Sequence, residues 1–208
     1  MDTLTTVARF LVLAVVAGLL GGFAADNSAA FAGYFNANNW EDLRFPASAI
    51  RLGGAAPASD QGYRGGIVLG FSSAVNNYVY LTAQMPHSWR EGDNVTAHIH
   101  WTIPVGGLGG GAENVKWDLT YSWANVGETF PVQSSVSLTR NVASVAANTH
   151  LYDEWVELDG SGKTASSMII ISVKRDTGVA SDYSSAALLI EFDIHYRQDK
   201  LGTNDPLG

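Results

Sequence analysis

The chain has 208 residues, of which 46% are hydrophobic and 15% charged, and it contains no cysteine. Its formal net charge of −8 leaves no basic surface for nucleic acid, and anionic lipid headgroups would repel it. The lack of cysteine excludes disulfides, thiolate zinc sites and thiol catalysis. Six Trp, eight Tyr and eight Phe provide enough large side chains for the core of one domain.

The chain begins with an apolar segment, Phe10–Ala25, of sequence FLVLAVVAGLLGGFAA. Three interpretations fit it: a secretory signal, a membrane anchor, or an arm buried against other protein chains. As a helix the segment is about 24 Å long, which is short of a bilayer core of about 30 Å. We therefore favour the arm, and expect residues 1–30 to contact other chains. Residues 1–39 would form arm and linker, and 40–208 the folded domain.

Period-two alternation of apolar and polar residues dominates the rest of the chain. It is clearest at 114–124 and 188–198, where one face is entirely apolar. The predicted inward side chains there are Val115, Trp117, Leu119 and Tyr121, and then Leu188, Ile190, Phe192, Ile194 and Tyr196. In chain order, strands are predicted at Ile67–Phe71, Tyr78–Met85, Val95–Ile103, Asn114–Ala124, Ser134–Arg140, Trp155–Leu158, Met168–Lys174 and Leu188–Gln198.

About eight strands separated by turn-forming residues predict an all-β fold, an antiparallel β-sandwich with the jelly roll as its favoured form. The glycine-rich run GGLGGG at 106–111 lies between two predicted strands. A phosphate-binding loop would need a helix after it, so we interpret the run as a hairpin tip. No nucleophile elbow or suitably spaced carboxylate pair is present, and the chain is not expected to be an enzyme.

A histidine pair is the strongest candidate for metal binding. His98 and His100 project from the same face of a predicted strand, about 7 Å apart along it. Asp193 and His195 share a face of the last strand, so four ligands could meet if the two strands were neighbours. Since the sequence does not establish that pairing, we expect a polar outer face or a hydrogen-bonded subunit contact, with no metal and no cofactor.

Several motifs occur in order along the chain, among them WEDLRFP (40–46), QMPHSW (84–89), HIHW (98–101) and EFDIHY (191–196). With these motifs the chain resembles, over about residues 40–202, a group of structural proteins of tailed-bacteriophage particles. The resemblance implies a structural virion protein: a capsid decoration, a head fibre or spike, or a tail-associated module. Residues 1–30 would dock it on major capsid, portal or tail proteins.

The same interpretation implies a location in the virion, a homotrimer, and a host-surface glycan as a further partner. One alternative is a secreted or surface-anchored carbohydrate-binding β-sandwich with an uncleaved signal. Exposed Trp on one flat face would favour it, whereas Trp101, Trp117 and Trp123 fall in inward registers. A second alternative is a cupin-like metalloenzyme, which depends on the histidine pair alone.

Overall fold

The computed structural model describes residues 39–200 and 202, and they are almost entirely β-structure. The strands are β1 (Asn39–Pro46), β2 (Arg51–Leu52), β3 (Ser59–Tyr63), β4 (Gly66–Phe71), β5 (Tyr78–Gln84), β6 (Thr96–Thr102), β7 (Asn114–Ala124), β8 (Ser134–Asn141), β9 (Leu151–Glu154), β10 (Met168–Arg175) and β11 (Ala187–Gln198). One 3-10 turn, Ala47–Ala49, follows β1. Within this part of the chain no helix has the length and apolarity to cross a membrane.

The strands form two antiparallel sheets around one core. The first sheet has the order β3-β4-β11-β6-β9, with β1 also paired to β11, and the second has the order β2-β5-β10-β7-β8. From β4 onward the chain pairs as a folded-over hairpin: β4 with β11, β5 with β10, β6 with β9, and β7 with β8. This is the strand order of a jelly roll, so the predicted sandwich is confirmed.

The core follows the predicted alternation closely. In β7 Val115, Trp117 and Leu119 are fully buried, and the partly buried Tyr121 packs against the same cluster. Trp117 meets Trp101 of β6 edge to face, with ring centroids 5.6 Å apart. Contacts of this kind join the inner faces of the two sheets and fix which side of each strand faces outward.

A β-bulge in β11 corrects the predicted facing of its first residues. The pairing with β6 shifts between Leu189 and Glu191 and leaves Ile190 outside the register. The extra residue reverses the alternation, so Leu189 lies in the core and Ile190 lines a surface cavity. Leu188 is buried outside the main core cluster. Beyond the bulge the predicted facing is confirmed, with Phe192, Ile194 and Tyr196 buried.

The segment Trp155–Leu158 is not a regular strand, contrary to the prediction. Strand β9 ends at Glu154, and the chain then runs irregularly beside β6 and the residue before it. Three backbone hydrogen bonds hold it there, from Trp155 N to Ala97 O (3.0 Å), from Leu158 N to Val95 O (2.8 Å) and from Val95 N to Leu158 O (3.2 Å). Both apolar residues are buried. Because they are three positions apart, their pattern does not distinguish a strand from an irregular buried segment.

The glycine-rich run is not a hairpin tip. It connects β6 in the first sheet with β7 in the second, so its flanking strands do not pair. Gly107 N donates a hydrogen bond to Val145 O (2.9 Å) and Gly109 N donates one to Ala143 O (2.9 Å). The run therefore packs against the loop between β8 and β9. The N-terminal arm and linker were predicted at residues 1–39. Residues 1–38 lie outside the described residues, so their roles stay predictions, and Asn39 is the first residue of β1.

Candidate functional site

The outer surface of the first sheet carries a cluster of polar and aromatic side chains. Four neighbouring strands contribute to it: β1, β11, β6 and β9. We call this surface the polar face. It consists of Trp40, Asp42, Arg44, His98, His100, His150, Tyr152, Glu154, Glu191, Asp193, His195 and Arg197.

The two central strands place the polar residues opposite one another. In β6, Ile99 points into the core, and His98 and His100 on either side of it therefore point outward. The antiparallel register sets His98 opposite Asp193 and His100 opposite Glu191. The arrangement that the sequence left open, with the histidine pair and Asp193 on adjacent strands, is thus present.

Asp193 lies at the centre of the polar face and is only 3% exposed. Its Oδ2 atom is 3.0 Å from His98 Nε2 and 3.2 Å from His100 Nε2. Its other oxygen, Oδ1, is buried without a hydrogen-bond partner among the described residues, and so is His98 Nδ1. A buried carboxylate oxygen without a donor is costly, which marks this position as a place for a ligand or ion.

Strand β1 closes one side of the cluster. Arg44 forms a two-point ion pair with Glu191, through Nε to Oε1 (2.5 Å) and Nη2 to Oε2 (2.9 Å). Asp42 Oδ1 accepts from His195 Nε2 at 2.8 Å. Each of these contacts joins β1 to β11 and orients a side chain that borders the central carboxylate.

Trp40 is the one tryptophan in the described part of the chain that is exposed. Its exposed fraction is 52%, and its ring lies 5.0 Å from the guanidinium carbon of Arg197. The ring centroid is also 6.3 Å from that of His195. Trp40 therefore presents an aromatic surface to solvent at the edge of the polar groups.

The opposite side is formed by β9 and the residue that precedes it. His150 Nε2 and His100 Nδ1 share a hydrogen bond of 2.8 Å. Tyr152 donates its hydroxyl to Glu154 Oε2 at 2.7 Å, and its ring centroid is 4.9 Å from that of His98. These contacts hold both central imidazoles in place from the side away from β11.

The surroundings lower the pKa values of two imidazoles of the cluster, those of His100 and His195, and that of the central carboxylate of Asp193. Burial lowers the pKa of His100 more than the charge of Asp193 raises it. Burial, with the charge of His98, also lowers the pKa of His195. Burial alone would raise the pKa of Asp193, but side-chain hydrogen bonding with His98 and Glu191, together with the charges of His98 and His100, outweighs it and holds that pKa below its ordinary value.

Between β1 and the central strands lies a shallow open cavity of about 330 Å³. Asp42, Arg44, His100, His150 and Asp193 contribute to its lining. Its volume falls at the lower end of the range for small-ligand sites, about 300–1,000 Å³. The polar face therefore combines a cavity, an exposed aromatic ring and convergent hydrogen-bonding groups.

Sequence reasoning found only part of this site. His98, His100, Asp193 and His195 were considered together, and the structure brings them together. Trp40, Asp42, Arg44, His150 and Tyr152 were missed as site residues; the alternation of Trp40, Asp42 and Arg44 within WEDLRFP was the available signal. The inward registers predicted for Trp101, Trp117 and Trp123 are confirmed, each being at most 2% exposed.

No protein-family model matches the sequence, and no curated protein matches it. Among solved structures, the family 22 module and catalytic module of xylanase 10B from Clostridium thermocellum, bound to xylohexaose, align over 76% of this chain with 10% identity and a TM-score of 0.38. This chain covers 28% of that protein's length. A xylan-binding domain of family 22 aligns over 80% of this chain and 93% of its own length, with 13% identity and a TM-score of 0.37.

A carbohydrate-binding module that recognises mannan aligns over 77% of this chain and 99% of its own length, with 13% identity and a TM-score of 0.40. All three scores are below 0.5. These similarities therefore do not identify a ligand for this chain.

Proposed function

We propose that the chain is a carbohydrate-binding β-sandwich and that the polar face is its binding site, with an uncharged oligosaccharide as the ligand. The observation that carries this proposal is the half-exposed ring of Trp40 beside a row of oriented hydrogen-bonding side chains. A sugar ring has an apolar C–H surface and a rim of hydroxyls, so it needs both kinds of group from its binding site.

The aromatic part of the site is rigid enough to bind. Trp40 has few rotatable bonds, and Arg197 at 5.0 Å supports its ring by a cation–π contact. An aromatic ring held in this way loses little conformational entropy when a sugar packs on it. The other tryptophans of the described chain are buried in the core, and the second exposed aromatic ring of the polar face is that of Tyr152, which is 42% exposed.

The charges of the polar face favour an uncharged ligand. It contains four carboxylates, those of Asp42, Glu154, Glu191 and Asp193, and two guanidinium groups, those of Arg44 and Arg197. With the chain's net charge of −8, this excess of acid disfavours phosphates and acidic polysaccharides. Ionised carboxylates and Arg are strong partners for neutral hydroxyls, which can donate as well as accept.

The test is a glycan array with the full-length chain, followed by calorimetric titration of the best neutral oligosaccharide. Replacing Trp40→Ala should weaken binding about tenfold or more, since one aromatic contact contributes about 0.5–1.5 kcal/mol beyond the area that it buries. Phe130→Ala is the matched control, because Phe130 is also exposed (43%) but lies between β7 and β8. Equal affinity of Trp40→Ala and the parent chain, or binding to no neutral glycan, would contradict the proposal.

A place in a bacteriophage particle is our second proposal, and it depends on the resemblance of the sequence motifs. Three of the motifs that carry the resemblance, in β1, β6 and β11, contribute their outward residues to the same polar face. A virion protein with this surface would bind a host-surface glycan, and residues 1–30 would attach it to the particle as a trimer. A variant of this chain that lacks residues 1–35 should be absent from assembled particles. Incorporation of that variant at the normal copy number would contradict the proposed attachment.

A further inference from the structure

A compact set of ligand atoms lies at the centre of the polar face. One nitrogen each of His98 and His100 and one oxygen of Asp193 all lie within 4.8 Å of one another. The two nitrogen–oxygen distances are 3.0 and 3.2 Å. In a tetrahedral zinc site with bonds of about 2.0–2.1 Å, neighbouring ligand atoms are about 3.3–3.4 Å apart. The two nitrogen–oxygen distances are therefore within a few tenths of an ångström of those in a zinc site, and the two imidazole nitrogens, within 4.8 Å of each other, would approach one another on binding.

We propose that His98, His100 and Asp193 bind a divalent transition-metal ion, and that zinc is the ion this ligand set fits best. Two imidazoles and one carboxylate suit zinc and its neighbours, whereas calcium and magnesium require sets of oxygen ligands. This goes beyond glycan binding and does not depend on it. It also revises the sequence-based expectation of no metal. That expectation held because the sequence did not show whether the strands of the histidine pair and of Asp193 are neighbours, and the structure pairs them as β6 and β11.

Asp193 provides an independent indication of a cation. It is 3% exposed, and its Oδ1 atom has no hydrogen-bond partner among the described residues. A buried carboxylate in this state is unsatisfied on one side, and a metal ion supplies the missing positive charge. This observation is independent of the distances between the ligand atoms, because it concerns Asp193 Oδ1, whereas both histidines contact Oδ2.

His150 completes the arrangement as a positioning residue. Its Nε2 is 2.8 Å from His100 Nδ1. Without metal, His150 donates to His100, and His100 Nε2 donates to Asp193. When His100 Nε2 binds metal, its proton resides on Nδ1 and is donated to His150, which then accepts. Metal-bound histidines commonly have such a partner, which fixes the tautomer and the ring orientation.

The site would have three protein ligands and one open coordination position. His100 and Asp193 both line the cavity of about 330 Å³, so that position opens into it. His195 is held by Asp42 at 2.8 Å and does not serve as a ligand. Three ligands with an open position distinguish a site that binds an exogenous oxygen ligand from a closed structural zinc site.

The experiment is calorimetric titration of Zn²⁺ into full-length protein that has been stripped with chelator and dialysed. We expect one ion per chain with micromolar or tighter affinity, together with proton release seen as a buffer-dependent heat. Asp193→Asn and His100→Ala should each weaken binding at least 100-fold, and His150→Ala about 10–100-fold. His87→Ala is the control, because His87 lies outside the polar face beside Ser166.

Co²⁺ gives a readout that a purely structural role of these residues would not produce. Four-coordinate Co²⁺ bound by two imidazoles and a carboxylate should give visible d–d bands that Zn²⁺ abolishes by competition. If Asp193→Asn fails to fold by circular dichroism, His100→Gln replaces it. No saturable Zn²⁺ binding, equal binding by Asp193→Asn or His100→Gln, or equal affinity for Ca²⁺ and Zn²⁺ would overturn the proposal.

Discussion

The strongest prediction about the fold concerns Trp117, at the centre of the sandwich. Its side chain is fully buried, and it packs edge to face on Phe71 (4.9 Å between centroids) and Trp101 (5.6 Å). Truncating a core tryptophan to alanine costs about 3–5 kcal/mol. Because two aromatic pairs are lost as well, at about 0.5–1.5 kcal/mol each, we expect Trp117→Ala to fall in the upper half of that range.

A second substitution separates packing from polarity at the same position. The indole nitrogen of Trp117 is buried without a hydrogen-bond partner among the described residues. An unsatisfied donor costs about 1–3 kcal/mol in the parent protein, and Trp117→Phe removes it while keeping an aromatic ring. We therefore expect Trp117→Phe to lose at most about 2 kcal/mol, well below the loss for alanine.

The measurement is the free energy of unfolding in urea, followed by far-ultraviolet circular dichroism so that the loss of a fluorophore does not matter. Trp40→Ala is the matched control, because Trp40 is 52% exposed and its removal should change stability by no more than about 0.5–1 kcal/mol. A loss below about 1 kcal/mol for Trp117→Ala, or equal losses for the two tryptophans, would refute the burial that defines the core.

Two further predictions concern a loop and a carboxylate. Gly107→Ala should lower the unfolding free energy by about 1–3 kcal/mol, because a Cβ there would overlap the carbonyl oxygens of Val142 and Ala143, whereas Gly110→Ala, with open space around it, should be neutral. The hydrogen bond from Lys116 (2.7 Å) holds the pKa of Asp176 below its ordinary value of 3.8. Its stabilisation is therefore present above that pH and lost as the pH falls through the lower, folded-state pKa. Asp176→Asn should flatten the acid limb of a stability–pH curve, and an unchanged acid limb would contradict this.

The alternation of apolar residues was sufficient to predict most of the jelly roll. Strand β7 was predicted with its observed bounds, and β4, β5, β6, β8, β10 and β11 were predicted within one or two residues of theirs. Each of these strands turns one face toward the core. Every second side chain therefore points inward, and these inward side chains are apolar. The physical requirement for burial is therefore visible in the sequence itself.

The sequence did not predict β1, β2, β3 or β9, and burial contributes least to two of these strands, β2 and β3. Every residue of β3 except Tyr63 is exposed, and β2 is a two-residue exposed strand. The backbone pairing that forms such edge strands makes no demand on side-chain type. The bulge at Ile190 was missed for a related reason, since an inserted residue changes the facing of its neighbours without changing their composition.

The polar face could not be predicted from local pattern because it depends on which strands pair. His98 and Asp193 are far apart in sequence, and only the jelly-roll pairing of β6 with β11 sets them opposite each other. The same register buries Ile99 and Phe192 on the inner side, so a one-residue slip would disrupt the core and the site together. A metal bound by His98, His100 and Asp193 would bridge these two strands, and it would stabilise the fold in proportion to its binding affinity. Zn²⁺ should therefore raise the unfolding temperature of the parent chain and of His87→Ala, but leave that of Asp193→Asn unchanged.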